Sequence, residues 1–149
     1  MKNESTKKII DAIVEKVEEL LPSYLRDEAD SSISNGNVAL VIIEEDGRVH
    51  GKIFGTNKLR GRESFRVAWT KASQVWTTGI KTGEYERKIF NNEIPDTMYG
   101  ISMPDMIGWE GGQPITLKGG TKLAAGFSGI RGFNDLGIVL KAVEIVDSH

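Results

Sequence analysis

VALVIIEEDGRVHGKIFG, residues 38–55, decides the fold. Val38 to Ile43 is an unbroken, mostly β-branched apolar run, which predicts a central strand covered on both faces. Asp46-Gly47 is a two-residue hairpin signal. The stretch from Arg48 to Phe54 then alternates, with Val49, Gly51 and Ile53 on one side, as a strand does.

Moving outward, the C-terminal part supplies a second hairpin. QPITL and TKLAAGFSG read as strands joined by Gly119-Gly120. Asn134 is a good N-cap for a final helix marked by Leu136, Val139, Leu140, Val143 and Val146. Between the hairpins, a helix from about Glu63 to Thr78 carries the apolar stripe Phe65, Ala68, Trp69, Ala72, Val75 and Trp76, with Gly79 as its stop. The small Ala68 and Ala72 would let it lie close to a sheet. A shorter helical segment, Gly83 to Asn91, follows. Residues 6–21 form an amphipathic helix on Ile10, Ile13, Val17 and Leu20, with Pro22 just past its end. Residues 23–37 read as a polar connector ending in Ser34-Asn35-Gly36-Asn37. Residues 92–112 hold two prolines and four glycines, and offer at most a short strand at Met106 to Trp109. Loops of this length in a compact domain are usually functional or mobile. The order is helix, two strands, two helices, two or three strands, helix. Hairpins dominate, so the fold class is α/β (α+β), a mainly antiparallel sheet with helices on its faces.

Composition bounds the function. A chain of 149 residues fits one domain, 1–149, with 1–37 as N-terminal helix and connector and 38–146 as core. A net charge of −2 gives no overall pull toward nucleic acid or an anionic membrane. The absence of cysteine excludes disulfides, thiolate catalysis and Cys-ligated metal. No apolar run approaches the roughly 20 residues of a membrane span. The N-terminal stretch has charges inside its apolar segment, unlike a secretory signal. The expected location is the cytoplasm.

Gly126, Gly129 and Gly132 precede the last helix, but their spacing is not that of a dinucleotide fingerprint, and no Gly-Lys-Ser/Thr of a P-loop is present. An anion site at that helix start, with Arg131 close by, stays open. Ser128 lies in Gly-Phe-Ser-Gly, not Gly-x-Ser-x-Gly, and the two histidines are His50 and His149, so a Ser-His-Asp triad is not expected. Nor is a metal site. Lys58, Arg60 and Arg62 suit ligand carboxylates or phosphates, or form a solvated loop. Lys71 interrupts an apolar helix; it snorkels, or it is buried and needs an acidic partner or a ligand. Met98, Tyr99, Met103, Met106 and Trp109 suit a flat apolar ligand or a partner surface, or tuck into the core.

Three stretches in order resemble the GlcG/HbpS-like ("haem-degrading domain") family, also found fused to some corrinoid adenosyltransferases. They are Lys71-Ala72 in the helix after the first hairpin, Gly111-Gly112-Gln113-Pro114-Ile115, and Gly126-Phe127-Ser128-Gly129 followed by Asp135. The resemblance spans roughly residues 38–146. It implies a profilin-like fold with about five strands, assembly into symmetric homo-oligomers, and relatives that bind haem or corrinoid. The chain departs from the pattern in its bulky Ile130–Asn134 loop and basic GTNKLRGR segment. The leading expectation is therefore a small-molecule-binding protein with haem or a related tetrapyrrole as ligand. Arg60 and Arg62 would meet its carboxylates, Met103, Met106, Tyr99 or Trp109 would line an apolar slot, and Ser128 and Arg131 would sit at the final turn. The alternative is an enzyme acting on a small metabolite at a subunit interface, with Lys71, Asp135 and Tyr99 as proton-transfer groups. A third reading is an assembly subunit without ligand.

Overall fold

The hairpin at residues 38–55 supplies one inner strand and one edge strand of the sheet. In the computed structural model, which describes residues 2–95, 99, 101 and 107–148, the elements run α1 (Lys2–Tyr24), α2 (Glu28–Ser34), β1 (Ala39–Glu44), β2 (Val49–Ile53), α3 (Lys58–Thr78), α4 (Thr82–Phe90), β3 (Gly112–Thr116), β4 (Lys122–Ser128) and α5 (Gly132–Val146). The sheet order is β2-β1-β4-β3, antiparallel throughout. Among the described residues it has four strands rather than about five. Residues 107–109 of the expected extra strand are not extended into the sheet, and Met106 lies outside the described residues.

β1 is buried along its whole length, as its unbroken apolar run requires. Alternation splits it between two cores. Leu40 and Ile42 pack with Ile10, Ile13 and Val17 of α1 and with Ile138 and Val139 of α5. Ala39, Val41 and Ile43 face Ala68, Ala72 and Val75 of α3. The second face is the tighter one. A Cβ placed on Gly126 would lie 2.2 Å from the Ala68 carbonyl oxygen and 2.6 Å from the Ala72 nitrogen. Gly126 therefore serves close helix–sheet packing, not phosphate.

Both hairpins close with three-residue loops. The Gly47 N–H donates to the Glu44 carbonyl and the Glu44 N–H to the Arg48 carbonyl, each at 2.9 Å, with Gly47 at φ +91°. Leu117, Gly120 and Thr121 repeat the arrangement, with Gly120 also at +91°. Asp46-Gly47 is thus the end of a turn followed by a left-handed residue, not a two-residue loop.

Several boundaries differ from the sequence expectation. α1 continues through Pro22 to Tyr24, because a proline in the final turn removes only one helical donor. The polar connector contains α2, capped by the Asp27 carboxylate on the Ala29 N–H and closed by Asn35 at φ +52°. α3 begins at Lys58, with Asn57 as its cap, so most of the expected basic loop is helix. Asn134 does not cap α5; it lies in the first turn and donates its amide to Asp30. Trp69 and Trp76 are 42% and 49% exposed, since bulky rings cannot enter so narrow a helix–sheet gap. Trp76 instead donates its indole N–H to the Glu44 carbonyl.

Candidate functional site

At the end of the α3 face where β4 runs into α5, the structure holds a cleft of about 580 Å³. That lies within the range of small-molecule pockets. Its floor is the Lys71–Asp135 pair. Lys71 is on the buried side of α3 and 2% exposed; Asp135, in the first turn of α5, is 4% exposed. The ammonium donates to the Phe127 carbonyl oxygen at 2.9 Å and to Asp135 Oδ2 at 3.3 Å. Asp135 Oδ1 accepts the Ile130 N–H at 3.1 Å. One carboxylate thus ties the strand end, the final turn and the central helix together.

Burial dominates the electrostatics. It pushes the Asp135 carboxyl up to about 7, against the opposing pull of Lys71 and of the Ile130 N–H. It holds the Lys71 ammonium below its ordinary value, although Asp135 and Glu110 pull the other way. A proton held near neutrality beside a buried amine is a feature of functional clefts, though ion-pair networks produce it too.

The opposite wall is residues 107–112, pinned at two points. Gln74 of α3 grips Ile107 from both sides, donating to its carbonyl at 2.9 Å and accepting its N–H at 2.8 Å. The Thr82 hydroxyl donates to the Trp109 carbonyl at 2.5 Å and accepts the Gly112 N–H at 3.3 Å. Gly111 then turns at φ +122°, and a Cβ there would lie 2.7 Å from Lys71 Nζ and 2.5 Å from the Phe127 carbonyl oxygen. Its glycine is what lets the loop pass over the buried pair.

Of the residues singled out in the sequence, the cleft gathers Lys71, Asp135, Ser128 and Trp109. Arg60 and Arg62 lie on the exposed opening of α3, outside the cleft lining. Arg131 does not line the cleft; it binds Asp30 through its backbone N–H and Nε, both at 2.9 Å, and Asp27 at 2.7 Å. Tyr99 stands over Tyr85, with ring centroids 6.1 Å apart, and is likewise outside the lining. Met103 and Met106 fall outside the described residues. Glu63, Ser64, Glu110 and Phe133 line the cleft and were not singled out. The sole signal for Glu110 was its place directly before Gly111-Gly112. Among the described residues no group of three or more His, Asp or Glu could hold a metal ion. No helix among them is long and apolar enough to cross a membrane.

No family model matches the sequence, and no curated protein matches it. Solved structures do. Klebsiella pneumoniae ORFY, a DUF336 protein, aligns over 95% of this chain and 90% of its own at 14% identity, with a TM-score of 0.68. A double mutant of Streptomyces reticuli HbpS aligns over 91% and 84% at 16% identity, with a TM-score of 0.62. A PduOC:heme complex aligns over 87% and 90% at 15% identity, with a TM-score of 0.58. The chain therefore has the fold of the GlcG/HbpS-like domains, as the resemblance of its three motifs implied.

Proposed function

We propose that this chain binds a small molecule in the Lys71–Asp135 cleft, with a tetrapyrrole as the leading ligand. The observation that carries the reading is the cleft itself, a space of about 580 Å³ at the β4–α5 corner of a fold shared with a domain solved with heme. Val67, Ile130, Trp109 and Phe133 give it apolar walls suited to a flat ring. The lining does not fit haem iron: among the described lining residues there is no imidazole, thiolate, thioether or phenol to serve as axial ligand. The apolar walls support a ring; the lining offers no axial ligand for iron. Titration of the protein with hemin and with metal-free protoporphyrin tests the reading. Saturable binding of both at similar strength is expected, and failure of protoporphyrin to saturate counts against a tetrapyrrole ligand.

A second reading is an enzyme acting on a small metabolite in the same cleft. It is favoured by one observation, the Asp135 carboxyl held near neutral pH beside Lys71 at the cleft floor. Incubation with a metabolite extract, followed by mass spectrometry, tests it. Identical profiles from the native chain and from Asp135→Asn would remove this reading. Self-association remains an expectation of the resemblance, and sedimentation of the purified chain tests it.

A further inference from the structure

The cleft carries hydrogen-bond donors that nothing in the fold uses. Ser128 is 9% exposed and lines the cleft, and its hydroxyl, open to the cleft, makes no hydrogen bond to any described residue. Ser128 is the last residue of β4 and belongs to the face turned toward α3, in phase with Ala124 and Gly126. Beside it, α5 begins. Its 15 residues make a full helix, and the N–H groups of Gly132 and Phe133, both lining the cleft, have no acceptor among the described residues. The neighbouring orphan donors are already satisfied: Ile130 N–H by Asp135, and Arg131 N–H by Asp30. Lys71 has three N–H donors, and its two hydrogen bonds, to Phe127 and Asp135, leave one.

The geometry points to a carboxylate-receiving subsite at this corner, in which a ligand carboxylate accepts from Ser128 Oγ, from the Gly132 and Phe133 N–H groups and from Lys71. Helix N-termini favour such groups through oriented N–H donors and the macrodipole. The surrounding charges set limits. Glu63 is neutralised by its pairing with Arg66. Glu110 makes no ion pair among the described residues, although its charge acts on Lys71, and it opposes an anionic ligand. It packs against Gly132, whose added Cβ would stand 3.1 Å from the Glu110 Cβ.

This subsite rests on the small-molecule reading above and deepens it, and two sources could supply the carboxylate: a propionate arm of a tetrapyrrole, or a free aromatic carboxylic acid. The test compares protoporphyrin with its dimethyl ester, and 3-phenylpropionate with its methyl ester, on the full chain. Ser128→Ala removes the hydroxyl without breaking any existing bond. Gly132→Pro removes one helix N–H at a position where proline is tolerated, since Arg131 before it is already extended at φ −66°, ψ 146°. Gly132→Ala is the control that adds a Cβ but keeps the N–H. Each acid is expected to bind about tenfold or more tightly than its ester. Ser128→Ala and Gly132→Pro should each erase most of that preference, Gly132→Ala should keep it, and Glu110→Gln should tighten acid binding a few-fold. If phenylpropionate shows the preference and protoporphyrin does not bind, the subsite stands and the tetrapyrrole reading falls. If protoporphyrin and its ester bind alike, or the variants leave the preference intact, the subsite is overturned while ligand binding stands. If no probe binds, both fall.

Discussion

Replacing Asp135 with asparagine removes a titrating group while keeping an acceptor for the Ile130 N–H. A carboxyl whose pKa moves from 3.8 to about 7 on folding couples to stability by about 4 kcal/mol. The direction follows from which state holds the proton. The folded chain binds it more tightly, so stability from this group is complete below pH 4 and is lost as pH rises through 7. Asparagine has no such dependence. The loss of the Asp135 titration should therefore raise the stability of Asp135→Asn relative to the native chain by about 4 kcal/mol between pH 4 and pH 8, on top of a separate contribution from Lys71, whose buried ammonium loses its carboxylate in the variant. Asp30 behaves oppositely: burial pushes it up, but hydrogen bonds from Arg131 and Asn134 outweigh this and hold it low. Its contribution is lost on acidification and, being present in both proteins, cancels in the difference. Urea denaturation of both proteins at half-unit pH steps measures the quantity, and carbon-detected NMR of the Asp135 carboxyl reads the titration directly. A flat difference, or a carboxyl that titrates below 4, would show that the Lys71 charge outweighs burial and would refute the reasoning.

Gly126→Ala should cost about 3 kcal/mol, read as a fall in thermal midpoint, because the new methyl meets α3 backbone rather than a movable side chain. Arg131→Ala strips the fully buried Asp30 of its cation; the loss should be about 2–3 kcal/mol at neutral pH and should shrink as acid protonates Asp30. Thr82→Val leaves the buried Gly112 N–H without its acceptor, and should cost about 1–2 kcal/mol and speed amide exchange at Gly112.

The hairpins and the main helices were legible because their signals are local. Val38–Ile43, the two glycine-bearing turns and the stripe of Ile10, Ile13 and Val17 each fix an element within a few residues. α2 was missed because its evidence is a single cap, Asp27, ahead of a polar sequence with no apolar stripe. The start of α3 was placed late because Lys58–Arg62 reads as a basic loop, yet Asn57 caps it. The site divides the same way. Lys71 and Asp135 stand out individually, but they are 64 positions apart, and only the fold shows that they touch. The role of Gly111 was hidden for a similar reason, since its need for glycine comes from Lys71 and Phe127, far away in the chain.

The contact of Gly126 with Ala68 and Ala72 has a mechanical side. A helix whose backbone rests on a strand cannot roll or slide without collision, and Lys71 is the neighbour of Ala72. Its ammonium is therefore a fixed post rather than a flexible arm. The facing wall hangs on two side-chain grips, Gln74 on Ile107 and Thr82 on Trp109 and Gly112. The cleft is built like a vice with one jaw set by backbone packing and the other, which carries Trp109 and Glu110, held by side-chain hydrogen bonds alone.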